Sequence, residues 1–105
     1  MRAGDIVRCD FGVPARGEPG FIRPAIVVTS DDVLEFRQHA VVVVPCSSKR
    51  RDWLTEIEVD GVDVVQTHLP TTISVDRIVD ADGTNIGPVA LRQIRELLAD
   101  PLGID

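Results

Sequence analysis

The chain has 105 residues, of which 44% are hydrophobic, and a formal net charge of −6 at pH 7. This length suits a single domain, residues 1–105, that buries a hydrophobic core, and it is too short for two domains. Without an apolar run of 18 residues or a signal-peptide core, we expect no membrane contact and a cytoplasmic location.

The charge is uneven along the chain. Residues 1–52 carry eight basic and seven acidic side chains, a net charge of +1, whereas residues 53–105 carry three basic and ten acidic, a net charge of −7. The overall balance argues against a general nucleic-acid binder. A polyanion is therefore expected to meet the N-terminal half.

The first predicted elements are two strands joined by a loop. Asp5–Asp10 alternates, with Val7 and Cys9 on one face, and predicts a strand. Residues 11–22 hold three glycines and two prolines and predict a loop. Pro24–Thr29 is a short β-branched run and predicts a buried strand.

A short helix and the central strand follow. Thr29 or Ser30, followed by two aspartates, predicts a helix N-terminus. Ala40–Pro45 is the most β-rich segment and is predicted to be central, and we expect pairing to stop at Pro45 because proline has no N–H to donate. Cys46–Asp52 then predicts a polar, basic loop.

The remaining segments predict more strands and a final helix. Thr55–Val59 and Val62–Gln66 flank the turn signal Asp60-Gly61 and predict a hairpin; Thr71–Val75 is another β-rich segment, and Asp82-Gly83 predicts a further turn. An amphipathic helix is expected from Pro88 to Asp100, with Leu91, Ile94, Leu97 and Leu98 on one face. Together these predict a mostly β, α+β domain: a small barrel or curled sheet of antiparallel strands with a C-terminal helix.

Cys9 and Cys46 form no CxxC pair, and only His39 and His68 could join them. This scattering favours reduced, partly buried thiols over a zinc site, so no metal or other cofactor is expected.

Arg23 stands between the Gly/Pro loop and a buried strand. Pro24 restricts it to an extended conformation, which suits a phosphate-binding guanidinium. The alternative is a strand-end arginine in a surface ion pair.

A hydroxyl-rich and basic segment follows the central strand, namely Ser47, Ser48, Lys49, Arg50 and Arg51. The functional interpretation is hydroxyl donors to a phosphate, with cations that attract a polyanion; the alternative is a solvated turn. Trp53 either stacks on a base or pins the loop to the core. His68 follows a strand and is either a proton shuttle or a structural residue.

These segments resemble, in order, the MazF/PemK/Kid toxins. The similar blocks are GDIVRCDFG (Gly4–Gly12), GEPGFIRPAIVVTSD (Gly17–Asp31) with its Arg-Pro pair, VVVVPCSS (Val41–Ser48), VVQTHLPTTISV (Val64–Val75) and the closing segment Ile86–Ile104. The resemblance covers nearly the whole chain. It implies an SH3-like, CcdB/MazF-like barrel and a sequence-specific, ribosome-independent endoribonuclease that cleaves single-stranded RNA without metal, forms a homodimer and binds a cognate antitoxin.

The resemblance also assigns residues. It places the catalytic arginine on Arg23 and the catalytic hydroxyl on Ser47, where the family has threonine. Kid-like members carry Arg-x-Asp where this chain has Gln66 and His68, and we take His68 as the candidate base. The candidate RNA-binding residues are Arg16, Ser48, Lys49, Arg50, Arg51 and Gln66.

Two other functions remain open. A CcdB-like gyrase poison would share the fold, and a non-catalytic RNA- or protein-binding module would keep binding without cleavage. The Arg-Pro pair and the Pro-x-hydroxyl block favour the nuclease.

Overall fold

The computed structural model describes residues 1–13, 20–36, 39–47, 56–59, 62–67 and 69–102. Within these ranges the chain forms seven strands and two helices. They are β1 (Asp5–Asp10), β2 (Ile22–Val27), α1 (Asp31–Phe36), β3 (Ala40–Ser47), β4 (Glu56–Val59), β5 (Val62–Gln66), β6 (Thr71–Ser74), β7 (Ile78–Asn85) and α2 (Gly87–Leu102). A 3₁₀ turn, Val75–Arg77, separates β6 from β7.

All strand pairs are antiparallel, in the order β4-β5-β3-β2-β1-β7, with β6 also paired to β3. β3 is central, as predicted. It pairs with β6 at its start, with β2 in its middle and with β5 at its end. The predicted class is confirmed, while the sheet stays an open path: within the described residues, β4 and β7 each pair with one neighbour.

Hydrophobic residues are buried on both faces of the sheet, because the central strands are covered on both sides. One cluster joins β1, β2, β3 and β6 and comprises Val7, Cys9, Ala25, Val27, Val41, Val43 and Ile73. The other comprises Ile26, Val28, Val44, Cys46, Val65, Leu91 and Ile94, and lies under α2. The alternation predicted for β1 is confirmed, since Val7 and Cys9 are buried while Arg8 and Asp10 are exposed and Ile6 is half-buried.

α1 begins as the sequence predicts. The Ser30 hydroxyl accepts the Val33 N–H at 3.4 Å and so caps the first turn. The Thr29 hydroxyl accepts the Val42 N–H at 2.7 Å instead, which ties the start of the helix to β3.

α2 packs its predicted apolar face against the sheet, with Leu91 and Ile94 buried. The Arg95 Nη2 donates to the Val28 carbonyl at 3.1 Å. The predicted end was wrong, because the helix continues through Pro101 to Leu102; a proline in the last turn removes only one hydrogen bond. No helix in the described part of the chain is long and apolar enough to cross a membrane.

The expectation that pairing stops at Pro45 was wrong for the strand as a whole. Pro45 is the last β3 residue paired with β2, opposite Ala25. β3 then continues on its other edge, where Cys46 and Ser47 pair with Val65 and Val64 of β5. The strand survives its proline because its partner changes there.

The turn predicted at Asp82-Gly83 is instead a bulge inside β7. Between the pairs Asp5–Asn85 and Val7–Ala81, β7 has three intervening residues where β1 has one. Gly83 adopts a φ of +85°, and the Asp82 carboxylate accepts the Thr84 N–H at 2.9 Å. The local turn preference is therefore satisfied without reversing the chain.

Four residues form a corner cluster where β1, β7 and the start of α2 meet: Gly4, Asp5, Asn85 and Gly87. The Asn85 amide donates to Asp5 Oδ1 at 2.9 Å and to the Ala3 carbonyl at 3.0 Å, and its oxygen accepts the Gly87 N–H at 2.8 Å. Gly4 has a φ of +90°, and a Cβ there would lie 2.9 Å from Asn85 Oδ1. The cluster thus excludes side chains at Gly4 and fixes the end of β7.

Candidate functional site

The β2 and β3 strands separate at one end of the sheet. Their pairing ends at Ala25 and Pro45, and both Pro24 and Pro45 lack an N–H for a ladder hydrogen bond. Extending the register by two residues sets Arg23 opposite Ser47, beyond the last paired residues. We call this place the β2–β3 opening; Arg23 stands on one side and Ser47 on the other.

Arg23 is held by two hydrogen bonds. Its Nε donates to the Gly20 carbonyl at 3.1 Å, and its Nη1 donates to Gln66 Oε1 at 3.3 Å. A guanidinium has five N–H donors, so three remain. Among the described residues Arg23 forms no salt bridge, and its charge is not offset by a carboxylate there.

Gln66, the last residue of β5, is 1% exposed. Because a guanidinium only donates, the oxygen of the Gln66 amide must face Arg23 and the NH₂ group must point elsewhere. That NH₂ group has no hydrogen-bond partner among the described residues. A buried donor without a partner is costly, so this amide is suited to receiving an acceptor from a ligand.

Cys9 lies directly opposite Arg23 in the β1–β2 pairing. Burial raises the pKa of its thiol to about 11, because the low-dielectric interior disfavours the thiolate. The thiol is thus neutral near pH 7 and does not compensate the charge of Arg23. Neither Cys9 nor Cys46 forms a disulfide, as predicted, and both are fully buried where the sequence suggested partial burial.

The structure brings together two of the residues singled out in the sequence, since Arg23 contacts Gln66 directly. Ser47 ends β3 and is half-buried. In a continued strand, His68 would lie on the same side as Gln66, two residues earlier. β5 ends at Gln66, however, so strand alternation does not extend to His68. Six of the predicted site residues lie outside the described residues: Arg16, Ser48, Lys49, Arg50, Arg51 and His68.

Gly20 contributes to the site in a way that the sequence does not reveal. Its carbonyl fixes the Arg23 Nε, and the glycine itself is buried. Backbone acceptors leave no signature in residue type, so only the "PGFIR" context, a turn next to a basic residue, hinted at it.

Other parts of the described chain offer less chemistry. No group of three or more His, Cys, Asp or Glu side chains that could hold a metal ion occurs among the described residues. A shallow cavity of about 230 Å³ lies on the sheet face opposite Arg23 and includes none of the predicted site residues. At its wall, Arg8 and Asp80 form an exposed salt bridge at 3.2 Å.

Three solved structures illustrate the proteins that share this fold. The chain superposes on MazF from Deinococcus radiodurans with a TM-score of 0.83 and 22% identity, covering 99% of this chain and 97% of that one. It is similarly close to an endoribonuclease solved in complex with its cognate antitoxin from a mycobacterial species: TM-score 0.81, 21% identity, 100% and 97% covered. A MazE–MazF complex from D. radiodurans gives a TM-score of 0.81 at 20% identity, covering 100% of this chain and 98% of that one.

The fold is therefore the MazF-type toxin fold. The family model for the PemK-like, MazF-like toxin of type II toxin–antitoxin systems matches residues 2–100. The chain belongs to that family, and the resemblance noted in its sequence is confirmed.

Proposed function

We propose that this protein is a sequence-specific, ribosome-independent endoribonuclease toxin that cleaves single-stranded RNA without a metal ion. The observation that carries the proposal is the state of Arg23: its guanidinium is held by Gly20 and Gln66, keeps three N–H donors and has no carboxylate partner in the described part of the chain. Such a group is suited to an anionic phosphate. Residues 1–105 act as a single domain.

The proposed reaction is attack of a ribose 2′-oxygen on the adjacent phosphorus. The O2′–P bond forms and the P–O5′ bond breaks, while a base removes the 2′-OH proton and an acid protonates the leaving 5′-oxygen. The products are a 2′,3′-cyclic phosphate and a 5′-hydroxyl. Negative charge accumulates on the non-bridging oxygens, so fixed donors there lower the barrier.

Each catalytic residue has one role in this scheme. Arg23 donates to the non-bridging oxygens; a guanidinium stays protonated in proteins, so it does not act as a base. Ser47, across the β2–β3 opening, donates its hydroxyl to a phosphate oxygen. His68 is the base, because an imidazole with a reference pKa of about 6.5 accepts a proton near neutrality.

Binding of RNA is proposed to be local, since the chain as a whole is acidic. The buried NH₂ group of Gln66 donates to an acceptor on the substrate. The other proposed RNA-binding residues are Arg16, Ser48, Lys49, Arg50 and Arg51, which belong to the half of the chain with a net charge of +1. Single-stranded RNA is read through splayed bases, which requires no global positive charge.

The proposed partners are a second copy of the chain and a cognate antitoxin, and the proposed compartment is the cytoplasm. The antitoxin is supported by the related complexes, in which an endoribonuclease is bound to its cognate antitoxin and MazF is bound to MazE. The match to the PemK/MazF family favours the nuclease over a CcdB-like gyrase poison.

The test is incubation of the purified protein with RNA in EDTA, followed by mapping of the new ends. We expect cleavage at a defined sequence, with 5′-hydroxyl and cyclic-phosphate ends. Activity that vanishes in EDTA and returns with magnesium would defeat the mechanism. Intact RNA together with inhibited gyrase would favour the CcdB-like alternative instead.

A further inference from the structure

Phe21 combines two unusual properties. It is the one residue other than glycine with a positive φ in the described chain, at +62°, and its side chain is 64% exposed. The left-handed conformation is unfavourable for a residue with a Cβ. Burial of the ring does not offset this, because most of the ring lies in solvent. Strain of this kind concentrates at functional sites.

The position of Phe21 is fixed by backbone hydrogen bonds. Its N–H donates to the Gly12 carbonyl at 2.6 Å, and its carbonyl accepts the Phe11 N–H at 2.9 Å. The preceding carbonyl, that of Gly20, accepts the Arg23 Nε. The turn at Phe21 therefore sets the position of the exposed ring and of the carbonyl that holds the guanidinium.

We infer that Phe21 is a stacking platform for a base of single-stranded RNA, next to the nucleotide whose phosphate Arg23 binds. This inference rests on the proposed function. Two residues span at most about 7 Å of backbone, so the ring and the guanidinium project from the same short segment. An aromatic ring beside an arginine is a common arrangement for binding single strands.

The charge next to the ring favours RNA over a protein as its occupant. Two apolar residues near Phe21 along the backbone are exposed as well: Ile22, which follows it, and Val13, which follows the Gly12 that accepts the Phe21 N–H. A purely apolar docking surface would gain nothing from the guanidinium of Arg23, which has no carboxylate partner among the described residues. A nucleotide uses both groups, because its base is apolar on its faces and its phosphate is anionic.

The ring has no hydrogen-bonding group, so it can stack on any of the four bases. Phe21 therefore contributes to affinity and leaves the choice of cleavage sequence to other residues.

The experiment measures binding of two labelled 12-nucleotide probes by fluorescence anisotropy. One is a mixed-sequence 2′-fluoro RNA, which lacks the attacking hydroxyl and stays intact; the other is an abasic backbone of the same length. Phe21→Gly removes the ring and relieves the strain, so its thermal midpoint should not fall. Phe21→Trp keeps an aromatic ring, and Val89→Ala alters a side chain of equal exposure on α2.

We expect Phe21→Gly to weaken binding of the RNA about 5- to 100-fold and to leave binding of the abasic probe unchanged. Phe21→Trp and Val89→Ala should bind both probes like the wild type. Equal RNA binding by the wild type and Phe21→Gly would overturn the inference and would favour a protein partner as the occupant of the ring. It would not contradict the proposed nuclease function. Failure of the wild type to bind the RNA at all would overturn both.

Discussion

The corner cluster and the β2–β3 opening each bury a polar side chain, but they differ in how many of its hydrogen-bonding groups have a partner. In the corner, Asp5 accepts the Arg2 N–H at 2.8 Å and the Asn85 amide at 2.9 Å, and the Asn85 amide uses both its oxygen and its nitrogen. At the opening, Gln66 is more deeply buried and, within the described part of the chain, hydrogen bonds only through its oxygen. A polar group whose hydrogen bonds are satisfied within the fold stabilises that fold, whereas one left with spare donors is prepared for a ligand.

The largest effect should come from Arg23→Ala. Removal of the guanidinium eliminates the charge that stabilises the transition state, so we expect cleavage to fall by at least ~10²–10³-fold. The free energy of unfolding should fall by about 1–3 kcal/mol, because the buried oxygen of Gln66 loses its donor, and the variant should still fold. Cleavage rates on RNA and urea denaturation test this together.

Arg8→Ala is the matched control for Arg23→Ala. Arg8 lies one strand away, opposite Pro24, and its exposed salt bridge with Asp80 contributes little to stability. The Arg8→Ala variant should cleave RNA at the wild-type rate. Equal losses in the two variants would mean that Arg23 acts only as one surface charge among others.

Asn85→Ala should have the opposite profile. The substitution removes two donors and one acceptor at once and leaves Asp5 short of a partner, so unfolding free energy should fall by ~2–4 kcal/mol. Cleavage per folded molecule should be unchanged. Thr84→Ala, one residue earlier and exposed, should cost less than about 1 kcal/mol.

Urea denaturation compares Asn85→Ala with Thr84→Ala. Similar stability losses in both variants would contradict a structural role for the corner cluster.

Gln66→Leu gives the finest distinction between the two regions. It removes a buried amide whose NH₂ group has no partner in the described chain, so the stability of the fold should be kept within about 1 kcal/mol. Cleavage should fall ~10–100-fold, because Arg23 loses a charge-assisted hydrogen bond and the substrate loses a donor.

Gln66→Glu sharpens this test. The glutamate keeps an acceptor for Arg23, removes the donors and adds a negative charge that faces the phosphate. The variant should therefore fold like the wild type but cleave RNA poorly. Wild-type cleavage combined with a less stable Gln66→Leu protein would make Gln66 a structural residue, like Asn85.

Much of the fold could be predicted because strands and helices carry a periodic pattern. The bounds of β1 follow from alternation, those of β5 from the turn signal Asp60-Gly61 before it, and the apolar face of α2 from helical spacing. β7 was missed because Asp82-Gly83 has a strong local turn preference, whereas the pairing with β1 that absorbs it as a bulge is a long-range effect. The prediction that pairing stops at Pro45 was wrong for the same reason, because the sequence does not show which strand pairs with each edge of β3.

The site could be predicted only in part. Arg23 was found because Pro24 restricts its backbone, and the resemblance added Ser47, Gln66 and His68. The Gly20 carbonyl, the orientation of the Gln66 amide and the left-handed Phe21 depend on three-dimensional contacts that residue types do not encode.

The bulge in β7 has a consequence for behaviour at high protein concentration. β7 ends the pairing path of the described sheet, and an unpaired strand edge is a template on which other chains can aggregate. The extra residues around Gly83 break its regular spacing, and Asp80 and Asp82 place negative charge along it. A straight strand from another molecule cannot pair with this edge over its whole length, so the β7 edge is a poor template for fibre growth.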